Sequence, residues 1–187
     1  MLLTLPYHRD RAVEYARRWA LSRNPLFVDF TGRGGDCTSF VSQCLFAGCG
    51  IMNDTPTYGW YYVSATNRAP AWSGVDELYK FLIGIPEFID ANGGTGPYAT
   101  DATVSGVVEL GDVIQLSDAN GNFYHSLIIS GFLEDDVLVC AHSDDALDRP
   151  LSSYRYAGLR ALHIEGARLA VDIDQSFENL INGISLS

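Results

Sequence analysis

Cys37 stands at the head of an apolar, helix-like run, Cys37-Thr38-Ser39-Phe40-Val41-Ser42-Gln43-Cys44, directly after Gly34-Gly35-Asp36. A thiol in the first turn of a helix meets unpaired backbone amides and the positive end of the helix dipole, both of which favour thiolate. Thiolate is a strong nucleophile toward carbonyl carbon, so this position points to cysteine-dependent acyl chemistry. The amide of Cys37 is at the same time a natural donor to the oxyanion that forms. Such chemistry needs a base. Two of the four histidines qualify: His125 opens the strand-like run Tyr124 to Ser130, and His142 closes Val137 to His142. If 132–135 form a four-residue hairpin loop, Gly131 pairs with Asp136 and, counting back, His125 faces His142, with Cβ atoms about 5 Å apart on one side of the sheet. A slip of one residue would part them. On this reading His125 is base and then acid, and His142 fixes its tautomer. Asp144, just beyond, is the alternative orienter. His8 is expected to face solvent and His163 to be structural.

The elements that carry these groups follow from periodicity. Ala12, Val13, Ala16, Trp19 and Ala20 repeat as one stripe of a helix from Arg9 to Ser22, ended by Asn24-Pro25. A short extended piece, 26–30, leads to the glycine turn. The second helix is expected over Cys37 to Ala47, with Asp36 as N-cap and Gly48 as stop. Its stripe, Phe40, Val41, Cys44 and Leu45, carries Cys37 on the inward face. Trp60 to Val63 reads as strand, and Ser73 as the cap of a third helix from Gly74 to Ile83. Trp60, Tyr61, Tyr62 and Trp72 read as core or cleft walls, with Trp60 and Trp72 the candidates for lining a substrate cleft. Residues 86–106 read as loop with at most an edge strand. Strands are expected at 107–110, 113–116, 123–131, 137–142 and 159–164, with an Asn-Gly hairpin turn at 118–122. Helices first and an antiparallel sheet afterwards is α+β organisation. Residues 1–165 form the domain, and 166–187 an appended segment of it with a short helix over 174–181.

Composition limits the partners. The chain has 187 residues, enough for one well-buried core, and 47% of them are hydrophobic, as in a globular domain. Its net charge of −11 disfavours nucleic acid. The charge is uneven, because 1–36 hold six arginines against Asp10, Glu14, Asp29 and Asp36, about +2, and the remainder carries −13. No apolar run has the length of a membrane helix. The N-terminus, Met1 to Pro6, is too short and lacks the basic leader of a signal peptide. A complete chain would be cytoplasmic, and an excised domain would belong outside the cell or in the envelope. Cys37, Cys44, Cys49 and Cys140 are expected as free thiols, since Cys37 and Cys44 lie roughly 10 Å apart along a helix. Asp112, after Gly111, reads as a turn residue.

Taken together these pieces resemble the putative amidase domain family of bacteria, related to papain-like NlpC-type and CHAP-type cell-wall hydrolases. The likeness is carried by Tyr7 to Ala16, Asn24, the block Gly34 to Leu45, Trp60-Tyr61-Tyr62, Trp72, Gly111 to Gln115, Tyr124 to Ile129, Ala141-His142-Ser143 and Arg149-Pro150-Leu151, in order across 7–164. It implies a papain-like fold with the nucleophile's helix packed on an antiparallel sheet, Cys37 as nucleophile, His125 as base, and His142 in the third position. The implied activity is cleavage of an amide bond in a peptide or peptidoglycan-like substrate through a Cys37 acyl-enzyme, with cell-wall fragments as candidate partners and no cofactor. Such hydrolases act outside the cytoplasm, whereas no leader is seen here.

Three alternatives stay open on sequence. The acyl group could pass to an amine, making a transferase. Cys37, His125, Cys140 and His142 could bind zinc, although they lack a CxxC-type spacing. The fold could also serve as a silent binding domain.

Overall fold

The computed structural model describes residues 1–171 and 173–183. In chain order the elements are β1 (Leu2–Leu5), α1 (Arg9–Trp19), α2 (Asp36–Cys49), β2 (Tyr62–Ser64), β3 (Asn67–Arg68), α3 (Pro70–Ser73), α4 (Val75–Ile83), α5 (Pro86–Asn92), β4 (Gly96–Asp101), β5 (Val113–Ser117), β6 (Phe123–Phe132), β7 (Val137–Ala141), β8 (Ala146–Pro150), β9 (Gly158–Ala170) and α6 (Ile173–Ile181). The architecture is α+β, and every strand pairing is antiparallel. The main sheet runs β1-β9-β5-β6-β7-β8, with β4 also on β9. Leu162 pairs with both Asp101 and Val113, and Ala167 with both Pro97 and Leu5, so β5 and β1 follow one another along one edge of β9 while β4 takes the other.

Strand alternation divides the apolar residues into two layers. Val113, Ile128, Cys140, Leu162 and Ile164 face the helices and pack with Ala12, Ala16, Phe40, Val41, Leu45, Trp60, Trp72 and Leu82. Ile114, Leu116, Leu127, Ile129, Val139 and Ala141 form a second cluster on the opposite face, closed by Leu151 and flanked by Tyr154. Trp60 and Trp72 are fully buried, with ring centroids 5.0 Å apart. They are core residues rather than walls of a cleft.

Helix α2 is the axis of the structure. The expected single stripe understates it, because every residue from Asp36 to Leu45 is buried. Its polar side chains are sunk as well, and each finds a partner as burial requires. Ser42 Oγ donates to the Trp72 carbonyl and accepts from Trp60 Nε1, both at 2.9 Å. Ser39 Oγ accepts from Trp72 Nε1 at 3.2 Å, and Gln43 Oε1 from the Tyr15 hydroxyl at 2.8 Å. Gly48 lets α2 close on the N-terminal segment, since a Cβ there would come within 2.2 Å of the Tyr7 ring.

Several expectations shift. Asp36 is not the N-cap of α2: Gly35 is, at φ 95°, and no side chain caps the helix. Gly74 likewise replaces Ser73 at the start of α4. Region 86–106 holds α5 and β4 rather than being mostly loop, and β8 was not expected at all. No strand forms at 107–110, while β9 continues through 166 to pair with β1.

Candidate active site

Two glycines with φ of 73° and 95°, Gly34 and Gly35, turn the chain sharply into α2. A Cβ at Gly35 would lie 2.8 Å from the Ser73 carbonyl oxygen, so only glycine fits where α2 starts beside α3. The first bond of the helical ladder runs from the Ser39 amide to the Gly35 carbonyl at 2.9 Å. The Cys37 amide therefore precedes the ladder and keeps its donor. Cys37 is 4% exposed and lines a cavity of about 630 Å³. Around it stand Gly32, Gly34 and Gly35 on one side, and Tyr124, His125, Ser143, Asp144, Arg149, Ser153, Tyr154 and Arg155 on the other.

A chain of hydroxyls fixes the first turn of α2 to the sheet. Thr38 Oγ1 lies 3.8 Å from the Cys37 sulfur and 2.9 Å from Ser126 Oγ, beside His125 at the start of β6. Ser126 Oγ accepts from Gln115 Nε2 at 3.1 Å. The Gln115 amide is oriented by Arg160, whose Nε, a donor only, reaches Oε1 at 2.7 Å. Gln115, Ser126, Thr38 and the Cys37 sulfur thus form one connected chain of contacts, in which either hydroxyl can donate or accept.

His125 is 7% exposed and its Nε2 is buried without a hydrogen-bond partner. No described side chain is within hydrogen-bonding geometry of that nitrogen. Burial lowers the pKa of the ring, the Asp144 carboxylate raises it and the Arg149 guanidinium lowers it, for a net downward shift. The neutral ring therefore persists to a lower pH than in a free histidine.

A family model described as a putative amidase domain matches residues 6–164. The chain belongs to that family. It is also 28% identical over 125 residues to the uncharacterized protein YhbB of Bacillus subtilis (strain 168), an alignment covering 66% of this chain and 37% of that protein. The chain thus spans little more than a third of that relative. No solved structure matches it. Membership of the amidase family points to hydrolysis of an amide bond.

In this amidase-family chain His142 does not face His125. Ile128 pairs with Cys140 and Ile129 with Val139, so alternation puts His142 on the helix face with Cys140, while His125 falls on the opposite face with Leu127 and Ile129. The cause lies in the β6–β7 hairpin. Its loop is 133–136, closed by the Leu133 amide on the Asp136 carbonyl at 2.8 Å, and Ser130 is an extra residue between Ile129 and Gly131. Ser130 is held out of register by Asp148, which accepts from its hydroxyl at 2.6 Å, and by Arg17, which donates to its carbonyl at 2.9 Å. One slip turns His142 to the helix face.

There His142 stacks on Phe40, with centroids 3.9 Å apart, and its Nε2 donates to the Trp19 carbonyl at 2.9 Å. Its Nδ1 lies 3.2 Å from Asp36 Oδ2 without an aligned hydrogen bond. Asp36, 2% exposed, also accepts from the Phe30 amide at 2.9 Å and pairs with Arg23 at 3.1 Å. Burial raises its carboxyl, but the contacts from His142, Phe30 and Arg23 outweigh that and hold it below the usual carboxylate range. Arg23 in turn grips Asp145 with two bonds of 3.0 and 2.9 Å. The residue before Cys37 is therefore fastened to α1, to the glycine loop and to the loop after β7.

Asp144 does stand at the cavity, but its carboxylate accepts from Arg149 Nη1 at 2.6 Å and acts on His125 through space. The four residues weighed for zinc divide: Cys37 and His125 line the cavity, while Cys140 and His142 face the helices. Among the described residues no three or more His, Cys, Asp or Glu converge as metal ligands. His163 Nδ1 bonds Asp112 at 2.8 Å, and Asp112, fully buried, also takes Arg9 at 2.6 Å and the Ile164 amide at 2.9 Å. Asp112 is thus a hub joining α1 to the sheet, more than a turn residue. Tyr154 and Arg23 carry no signal in the sequence, and Arg149 and Gln115 enter there only as parts of the family likeness, because nothing local marks a side chain whose partners are distant.

Proposed function

We propose that this chain is a cysteine amidase, with Cys37 as nucleophile and His125 as general base, acting on a peptide-like amide. The observation that carries the reading is the meeting, at one cavity, of a thiol on the first turn of a buried helix and a histidine whose ring nitrogen has no other partner. His125 takes the thiol proton as sulfur adds to the amide carbon, and the oxyanion meets the Cys37 amide. Collapse breaks the C–N bond, and the leaving amine takes the proton from His125. Water then adds to the thioester, giving up a proton to His125, and expulsion of sulfur with return of that proton releases the acid and the thiol. Asp36, bound through Arg23 and His142, holds the nucleophile's turn in place, and Asp144 biases the base. The relation to papain-like NlpC-type and CHAP-type enzymes, with cell-wall fragments as substrates, belongs to the same proposal and rests on the motif likeness.

The test is capture of the intermediate. Incubation with an activated amide and acid quench is expected to leave a thioester on Cys37 that appears in the mass of its peptide, and to leave none in Cys37→Ala. Turnover that persists in Cys37→Ala would end the proposal.

A further inference from the structure

Arg149 and Tyr154 sit in the cavity with more hydrogen-bonding capacity than the protein uses. The Arg149 guanidinium lies over the Tyr154 ring, 4.1 Å from its centroid, and is anchored by Nε on Ser153 Oγ at 2.8 Å and Nη1 on Asp144 at 2.6 Å. Its Nη2 makes only a long contact of 3.5 Å to the Ser153 carbonyl. A guanidinium has five N–H donors, so at least one remains on each terminal nitrogen, the number a bidentate carboxylate takes. The Tyr154 hydroxyl oxygen is buried, and although Arg149 approaches it, it has no aligned hydrogen bond among the described residues. An orphan buried hydroxyl beside a held arginine is a costly arrangement for the protein alone. Arg155 is exposed on the same lining, so two arginines face one carboxylate, Asp144, in a chain whose net charge is −11. The cavity is cationic where the molecule is anionic.

From this we infer that Arg149 and Tyr154 form a carboxylate-binding subsite, and that the amide substrate carries a free carboxylate close to the bond that is cleaved. The inference rests on the amidase reading for the word substrate, but not for the binding. The His125 and Tyr154 ring centroids are 6.0 Å apart and Arg149 lies on the Tyr154 ring, all at the cavity that Cys37 lines, so a carboxylate bound there is close to the reacting centre.

Binding is measured with Cys37→Ala protein, so that nothing turns over. The probes are two matched pairs: N-acetyl-dialanine against its C-terminal amide, and N-acetyl-glutamic acid α-amide against the glutamine counterpart. In at least one pair the carboxylate is expected to bind tenfold or more tightly by calorimetric titration. Arg149→Gln brings that pair level, Tyr154→Phe weakens the acidic member severalfold, and Asp144→Asn, which removes the competing carboxylate, tightens it. Arg149→Lys, if folded by circular dichroism, keeps part of the preference because it keeps the charge without the fork. Equal affinity within both pairs, or a preference undiminished in Arg149→Gln, overturns the subsite. Selective binding in a protein whose Cys37 form cleaves no amide would refute the amidase reading alone, and equal cleavage of acidic and neutral substrates would refute the subsite alone.

Discussion

On the proposed mechanism, burial and two charges of opposite sign set the ionisation of His125 and with it the acid limit of activity. Burial is the largest influence and lowers its pKa, so the neutral base persists to a lower pH than for a free histidine. Asp144 raises the pKa and Arg149 lowers it. Asp144→Asn is therefore expected to move the acid limb of kcat/KM, measured on a neutral amide, to lower pH, and Arg149→Gln to move it to higher pH. A limb that stays put in both variants would take His125 out of the role. A second prediction concerns Thr38. Its hydroxyl stands between Ser126 and the Cys37 sulfur, so Thr38→Val should slow alkylation of Cys37 about tenfold, the scale of a weak charge-assisted hydrogen bond. Cys37 and His125, which line one cavity, were legible in the sequence as candidate thiol and candidate base, because a helix start after paired glycines and a strand-opening histidine are local signals. The partner of that base was not. One extra residue at Ser130, held by Asp148 and Arg17 from distant parts of the chain, reverses the face that His142 presents. Local pattern carries no information about such a bulge.

At the scale of elements, α2 works as a fixed rod whose N-terminal end is tied down by Asp36. Asp36→Ala would strand the Phe30 amide, Arg23 and His142 together, and the expected loss is about 3–5 kcal/mol in denaturant unfolding. The same residue sets an acid limit on stability. Its pKa is lowered in the folded state, so its contribution is complete above the unfolded carboxylate value of about 3.9 and is lost as pH falls through the lower folded value. Acid unfolding of the parent should show that loss, and Asp36→Asn should not. Gly48→Ala tests the packing of α2 against the N-terminal segment: with Tyr7 2.2 Å from the added carbon, a cost of about 1–3 kcal/mol is expected. The helical periods of α1 and α4 and the Asn-Gly hairpin could be read from sequence, since each has a strong local signal. The polar side chains buried along α2 could not, because Thr38, Ser39, Ser42 and Gln43 look like a solvent face until Trp60, Trp72, Tyr15 and Ser126 are brought to them.

For the whole molecule, one sheet with a core on each face brings together two groups that the sequence keeps far apart. Helix α2 supplies Cys37 from the helical layer, and β6 supplies His125 from the side of Tyr154, at a cavity where both are reachable. Among the described residues no helix is long and apolar enough to cross a membrane. The other three thiols are out of competition. Burial raises Cys44 and Cys140, and raises Cys49 to about 11. All four cysteines are free, so each can report on itself. Site-resolved alkylation with iodoacetamide at pH 6, read by peptide mass, is therefore the most direct measurement of the central claim. Cys37 is expected to label at least ten times faster than Cys44, Cys49 and Cys140, and to lose that advantage in His125→Ala. Slow labelling of all four alike, or a Cys37 rate unchanged without His125, would contradict the pairing of thiol and base.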